Sequence, residues 1–167
     1  MAVITTERLG PSVGAEVKGV DKERLLHDDG LPAACLEALE ANGALVFRDL
    51  HIDDATQVAF SKKLGEVEVF GNGEHPEIFR VTLDPKKNKS ARYLRGTFDW
   101  HIDGCTDDIP IMATVLSARV VANEGGDTAF ASSPKPGCRA FSRLDLPTPD
   151  GPASTDTLPR TTARNAS

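Results

Sequence analysis

The run Trp100-His101-Ile102-Asp103-Gly104 holds the side chains best suited to chemistry. Side chains alternate along an extended segment, so a His and an Asp two positions apart face the same way. An imidazole and a carboxylate on one face are two of the three donors of a 2-His-1-carboxylate iron site. Such a site leaves positions open for oxygen and an organic co-substrate. His-x-Asp alone is common, and a solvated turn is its ordinary reading, so the surrounding residues must decide. Cys105, four residues after His101, is a conceivable zinc ligand. No further Cys or His at ligand spacing accompanies it, which favours a small buried thiol.

The elements that must position this pair are read from pattern. Residues 4–20 alternate loosely around Gly10-Pro11 and predict two short strands. Leu31 to Ala41, with Cys35, Leu36 and Leu39 on one face and Asn42-Gly43 as a stop, predicts a helix. Ala44–Phe47 reads as a short buried strand. Asp54 and Gln57 then resemble a capping box that opens a second helix, which presents Val58, Ala59 and Leu64 and ends at Gly65. Strands are expected at Glu66–Phe70, Glu77–Leu83 and Thr114–Val121. Thr128-Ala129-Phe130 resumes extended structure after the turn Glu124-Gly125-Gly126-Asp127. Lys86, Lys87 and Lys89 fall in a polar loop and read as solvated.

Composition bounds the rest. A chain of 167 residues with 40% hydrophobic and 26% charged side chains has room for one globular domain. A formal net charge of −6 argues against a nucleic-acid footprint. No apolar run reaches membrane-spanning length, so neither nucleic acid nor membrane is an expected partner. Three cysteines, Cys35, Cys105 and Cys138, without Cys-x-x-Cys spacing suit reduced thiols and a cytoplasmic address. His27 is expected in a charged loop facing solvent, and His51 and His75 on the surface or in turns.

At Ser133 the pattern changes. Residues 133–167 hold six of the eleven prolines and five Lys/Arg against three Asp/Glu, with no sustained period. The expected division is residues 1–132 as the structured part and 133–167 as a Pro-rich tail, disordered or the product of a shifted reading frame.

The run from Trp100 to Pro110, followed by Gly125-Gly126-Asp127-Thr128, resembles the TauD/TfdA family of iron(II)- and 2-oxoglutarate-dependent dioxygenases. Gly14-Ala15-Glu16-Val17, Gly43 to Arg48 and Leu64-Gly65-Glu66 extend the likeness, which covers about residues 4–132 in the family's order. The resemblance implies an α+β, mainly β chain: an incomplete double-stranded β-helix, or jelly roll, with flanking N-terminal helices. It implies His101 and Asp103 as Fe(II) ligands, Trp100 beside the metal, and Thr128 as hydrogen-bond donor to the distal carboxylate of 2-oxoglutarate. Phe70 and Thr97 stand where the taurine enzyme has a substrate-contacting His and an Asn. An apolar Phe does not bind a sulfonate, so the implied substrate is a small organic molecule other than taurine.

One departure is larger. The histidines are His27, His51, His75 and His101, and none follows His101. The family's third iron ligand and its 2-oxoglutarate-clamping Arg lie further downstream. Arg139, Arg143, Arg160 and Arg164 sit in no family motif and receive no role. The resemblance therefore implies a hydroxylating dioxygenase releasing succinate and CO2, truncated and inactive alone. A non-catalytic relic or partner-dependent metal- or protein-binding module is the alternative. A zinc-binding or unrelated β-rich module using Cys105 is the third reading.

Overall fold

The structure is a computed structural model that describes residues 3–91, 93–104, 107–121, 126–132, 140–144 and 158–164. Strands β1 (Thr5–Arg8) and β2 (Ala15–Lys18) pair antiparallel, with Thr5 opposite Lys18. The two strands expected around Gly10-Pro11 are therefore present. Helix α1 (Lys22–His27) was not foreseen: Asp21 caps it by accepting the Arg24 amide at 2.9 Å. His27 ends this short helix instead of lying in a loop, and its side chain does face solvent.

Helix α2 (Leu31–Asn42) starts with Pro32 in its first turn, where the missing N–H costs nothing. It stops at Gly43, whose φ of 73° suits glycine and whose N–H closes on the Leu39 carbonyl. β3 (Leu45–Val46) then runs parallel to β2, completing the first sheet in the order β1-β2-β3.

Helix α3 (Asp54–Leu64) begins one residue earlier than the capping-box reading implies. Asp53 is the cap and accepts the Thr56 amide at 2.8 Å, while Asp54 and Gln57 turn to other work described below. α1, α2 and α3 pack together over a cluster of Leu25, Leu31, Cys35, Ile52 and Phe60. Burying an aliphatic side chain of this size stabilises by about 1.5–3 kcal/mol. Burial pushes the Cys35 thiol up to about 11, which leaves it an inert apolar filler.

The second sheet carries the site. β4 (Glu66–Val67), β5 (Phe79–Val81), β6 (Ala113–Leu116) and β9 (Leu158–Arg164) form it, with β7 (Thr128–Ser132) and β8 (Ala140–Leu144) pairing apart as a two-stranded sheet. β4, β5 and β6 all pair antiparallel with β9, through Glu66↔Arg164, Phe79↔Arg160 and Thr114↔Thr162 among others. The segment read as a Pro-rich tail thus contributes two strands.

Three strands are shorter than their patterns predict. β4 stops at Val67 because the chain folds back, with the Phe70 amide donating to the Pro76 carbonyl at 2.9 Å. β5 gives way to the lysine loop, a turn closed by Asp84 accepting the Lys86 amide; Lys86, Lys87 and Lys89 are exposed there. β6 ends at Leu116 because the chain leaves the ladder to bring Arg119 against Asp54.

Between β5 and β6 lies a 3-10 helix (Tyr93–Phe98) that the sequence pattern did not announce. Its Leu94 and Phe98 pack with Val81, Phe79, Leu83 and Leu116 in a second, smaller cluster. That packing fixes where the next residues, Asp99 to Gly104, leave the sheet.

Candidate metal centre

His101 and Asp103 do come together, though not by strand alternation. His101 is a single bridge residue and Asp103-Gly104 is a turn. Gly104 has φ of 59°, a left-handed conformation that most side chains resist. A Cβ built there would lie 2.5 Å from Ile111 Cδ1 and 2.9 Å from Asp107 Oδ2. The turn is closed by the Asp107 amide donating to the Gly104 carbonyl at 3.2 Å. Glycine at this position is thus what lets the chain double back and point Asp103 at His101.

The result is a His101 Nε2 to Asp103 Oδ1 distance of 3.5 Å, with both side chains largely buried (26% and 15% exposed). His101 Nδ1 lies 2.8 Å from the Asp99 carbonyl oxygen. A carbonyl only accepts, so Nδ1 carries a proton, which in the neutral tautomer puts the ring's lone pair on Nε2. On Asp103, Oδ2 accepts the Thr114 hydroxyl at 3.0 Å while Oδ1 faces the imidazole. Each side chain is held by its outer atom and presents its inner one. This is the support that metal-ligating His and carboxylate groups ordinarily have.

A metal fits this pair as two of its donors. Two ligands bonded to one ion at about 2.0–2.2 Å stand roughly 3 Å or a little more apart, which the observed separation approaches. No cluster of three or more His, Cys, Asp or Glu that could hold a metal occurs among the described residues. Cys105 lies outside the described residues, as do Cys138 and the Glu124-Gly125 half of the expected turn.

The other sequence candidates are dispersed. Trp100, next to His101, is 49% exposed. Thr97 lies in the 3-10 helix, and its hydroxyl donates to the Leu94 carbonyl at 2.7 Å. Phe70 meets Phe79 edge to face with ring centroids 5.6 Å apart. Thr128 opens β7, exposed, in the separate sheet whose β8 lies against the 3-10 helix. His51 is exposed in the turn before α3 at a φ of 43°, and His75 is partly buried in the loop after β4.

Sequence reasoning missed a polar cluster behind the site. Asp54 accepts Arg119 at 2.7 Å and Arg80 at 3.0 Å, tying the start of α3 to β5 and to the end of β6. Gln57, fully buried, donates to the Val115 carbonyl of β6 at 3.2 Å. The only signal was Gln57 on the helix's apolar side, which the capping-box reading had already claimed.

Residues 5–150 match the family described as taurine catabolism dioxygenase TauD, TfdA family, and the chain belongs to it. The (S)-phenoxypropionate/alpha-ketoglutarate-dioxygenase of Delftia acidovorans is 30% identical over 130 residues, covering 73% of this chain and 44% of that protein. The chain thus spans less than half the length of this curated relative. Among solved structures, a taurine dioxygenase from Burkholderia xenovorans superposes with a TM-score of 0.71 at 18% identity, covering 98% of this chain and 91% of that one. AAD-2, solved in complex with Mn(II) and N-oxalylglycine, superposes at 0.68 with 27% identity over 78% of this chain and 50% of its own. The chain superposes on taurine dioxygenases, whose fold is a jelly roll, and its mixed sheets and few helices accord with that fold. No helix among the described residues is long and apolar enough to cross a membrane.

Proposed function

We propose that His101 and Asp103 are two ligands of an Fe(II) centre in a 2-oxoglutarate-dependent dioxygenase acting on a small organic substrate. The observation that carries this reading is the convergence of His101 Nε2 and Asp103 Oδ1, each tied back through its other polar atom. When bound, Fe(II) would activate O2 with 2-oxoglutarate as the co-substrate, one oxygen atom hydroxylating a C–H bond and the other entering succinate as CO2 is released. The protein's own residues bind, orient and shield. Thr128 donates its hydroxyl to the distal carboxylate of 2-oxoglutarate. Trp100 covers one side of the metal, and Thr97 and Phe70 border the substrate. The aromatic pair of Phe70 and Phe79 suits an apolar or aromatic portion better than a sulfonate. An aryloxy acid like that named for the Delftia relative fits this preference.

Residues 102–167 hold no histidine, and the pair His101 and Asp103 supplies two donors of the family's triad. In this reading residues 1–132 are the N-terminal part of the dioxygenase domain. A partner-dependent metal-binding module is the second reading, favoured by the same two-donor site. The buried, free Cys35 thiol agrees with a reducing cytoplasm.

The test is an Mn(II) titration of the full chain followed by electron paramagnetic resonance. Saturable binding is expected, and His101→Ala or Asp103→Asn should weaken it by more than the 10- to 100-fold, roughly, that supporting residues carry. Binding unchanged in both variants overturns the proposal. Succinate formation from Fe(II) and 2-oxoglutarate then separates the readings: little or none favours the module, and substrate-dependent succinate favours the enzyme.

A further inference from the structure

We infer that Thr114 is a positioning residue for the Asp103 carboxylate, and that β6 joins the metal site to helix α3. The inference rests on the reading of His101 and Asp103 as metal ligands and extends it to a residue that no ligand motif contains. Asp103 sits in a turn, an element that by itself leaves a side chain several rotamers. The Thr114 hydroxyl, donating to Oδ2 at 3.0 Å, selects the rotamer in which Oδ1 faces His101 Nε2.

Thr114 can do this because its strand is fixed from two sides. Along β6, Thr114 stands opposite Thr162 and Val115 opposite Thr161 of β9. Behind it, the buried Gln57 amide donates to the Val115 carbonyl, one residue from Thr114. Leu116 packs into the cluster of Val81 and Leu94, and Arg119 anchors the chain's exit on Asp54. A ligand borne on a turn is thereby referred to a strand held by helix, sheet and core. Sites built on such rigid elements hold their geometry better than sites on loops alone.

The chemistry of Thr114 is specific. Its hydroxyl donates to one carboxylate oxygen while adding no charge, so Asp103 stays anionic toward a cation. Serine preserves the donor; valine preserves the shape and removes it. Thr114 is itself exposed, so water competes for Oδ2, and the expected effect is at the lower end of what supporting residues carry, about tenfold in metal affinity.

The experiment is a Co(II) titration of the full chain, read by visible absorption, for wild type and for Thr114→Val, Thr114→Ser, His101→Ala, Asp103→Asn and the double variant Thr114→Val/Asp103→Asn. Thr114→Val should weaken Co(II) binding about tenfold and change the ligand-field bands, and Thr114→Ser should restore both. In the Asp103→Asn background Thr114→Val should add nothing, because its effect passes through that carboxylate. This cycle also separates a local effect from general destabilisation, which would persist in both backgrounds. Wild-type affinity and spectrum in Thr114→Val, with binding lost in His101→Ala, overturns the inference and leaves the metal-site reading standing. Binding indifferent to His101→Ala overturns that reading and the inference with it.

Discussion

The helical flank, residues 3–67, and the site-bearing strands, residues 79–132, are stabilised in different ways. In the flank Leu25, Leu31, Cys35, Ile52 and Phe60 form one buried cluster, and α1 and α3 each have an Asp side chain as their cap. The site region's cluster has Val81 and Leu94 as its buried members, and Tyr93, Trp100, Ile109 and Phe130 are exposed. Its strands meet in β9, which lies more than forty residues beyond the end of β6. Local contacts close small loops, whereas such pairings must offset the entropy of closing a long one. The site is therefore built on the less self-sufficient part of the molecule, and Gln57, Asp54 and Arg119 fasten it to the sturdier part.

Core truncations should discriminate between the two regions. Phe60→Ala should lower stability by about 3–5 kcal/mol, as burial of a large aromatic implies. Phe130→Ala, 40% exposed, should stay within about 0.5 kcal/mol. Urea unfolding of both variants measures this, and equal losses would mean that the two regions share one core after all.

Gln57→Leu probes the fastening itself. It leaves the Val115 carbonyl without the Gln57 donor, at about 1–3 kcal/mol, and removes a longer, weaker contact of Arg119, whose bond to Asp54 remains. Hydrogen exchange should show faster opening of β6 with little change in α2; protection lost equally in both would argue against two regions coupled at this point.

Gly104→Ala acts within the site region alone. A left-handed φ costs an L-residue about 1–2 kcal/mol, and the added methyl meets Ile111. Metal binding should weaken more than global stability does, which parallel metal and urea titrations compare.

The smallest effect belongs to the flank. Lys22 beside Asp53, together with the Thr56 side chain and amide, holds the Asp53 carboxyl well below the usual carboxylate range. A depressed folded value stabilises above the unfolded value, about 3.9, and that contribution fades as pH falls. Asp53→Ala should slightly lower the urea midpoint at pH 7, and the difference from wild type should shrink towards pH 2. A difference that grows on acidification would reverse the assigned sign.

Much was legible in the sequence because it depends on near neighbours. Leu31–Asn42 follows from apolar spacing and Gly43, the first hairpin from the alternation around Gly10-Pro11, and family membership from ordered motifs such as Trp100–Gly104. What required tertiary structure is whatever depends on residues far apart. Asp54 and Gln57 look like a cap in sequence, yet Asp53 takes that role because a cap is decided by where the helix starts in space. The strand of residues 158–164 escaped a reading by period, since a strand with partners on both sides is selected by those partners as much as by its own pattern. His101 and Asp103 were identified by type and spacing. Their convergence depends on the left-handed turn at Gly104 and on Thr114, eleven residues away along the chain and one hydrogen bond away in space. Residue types set which donors are available; folding sets which of their atoms point at one another.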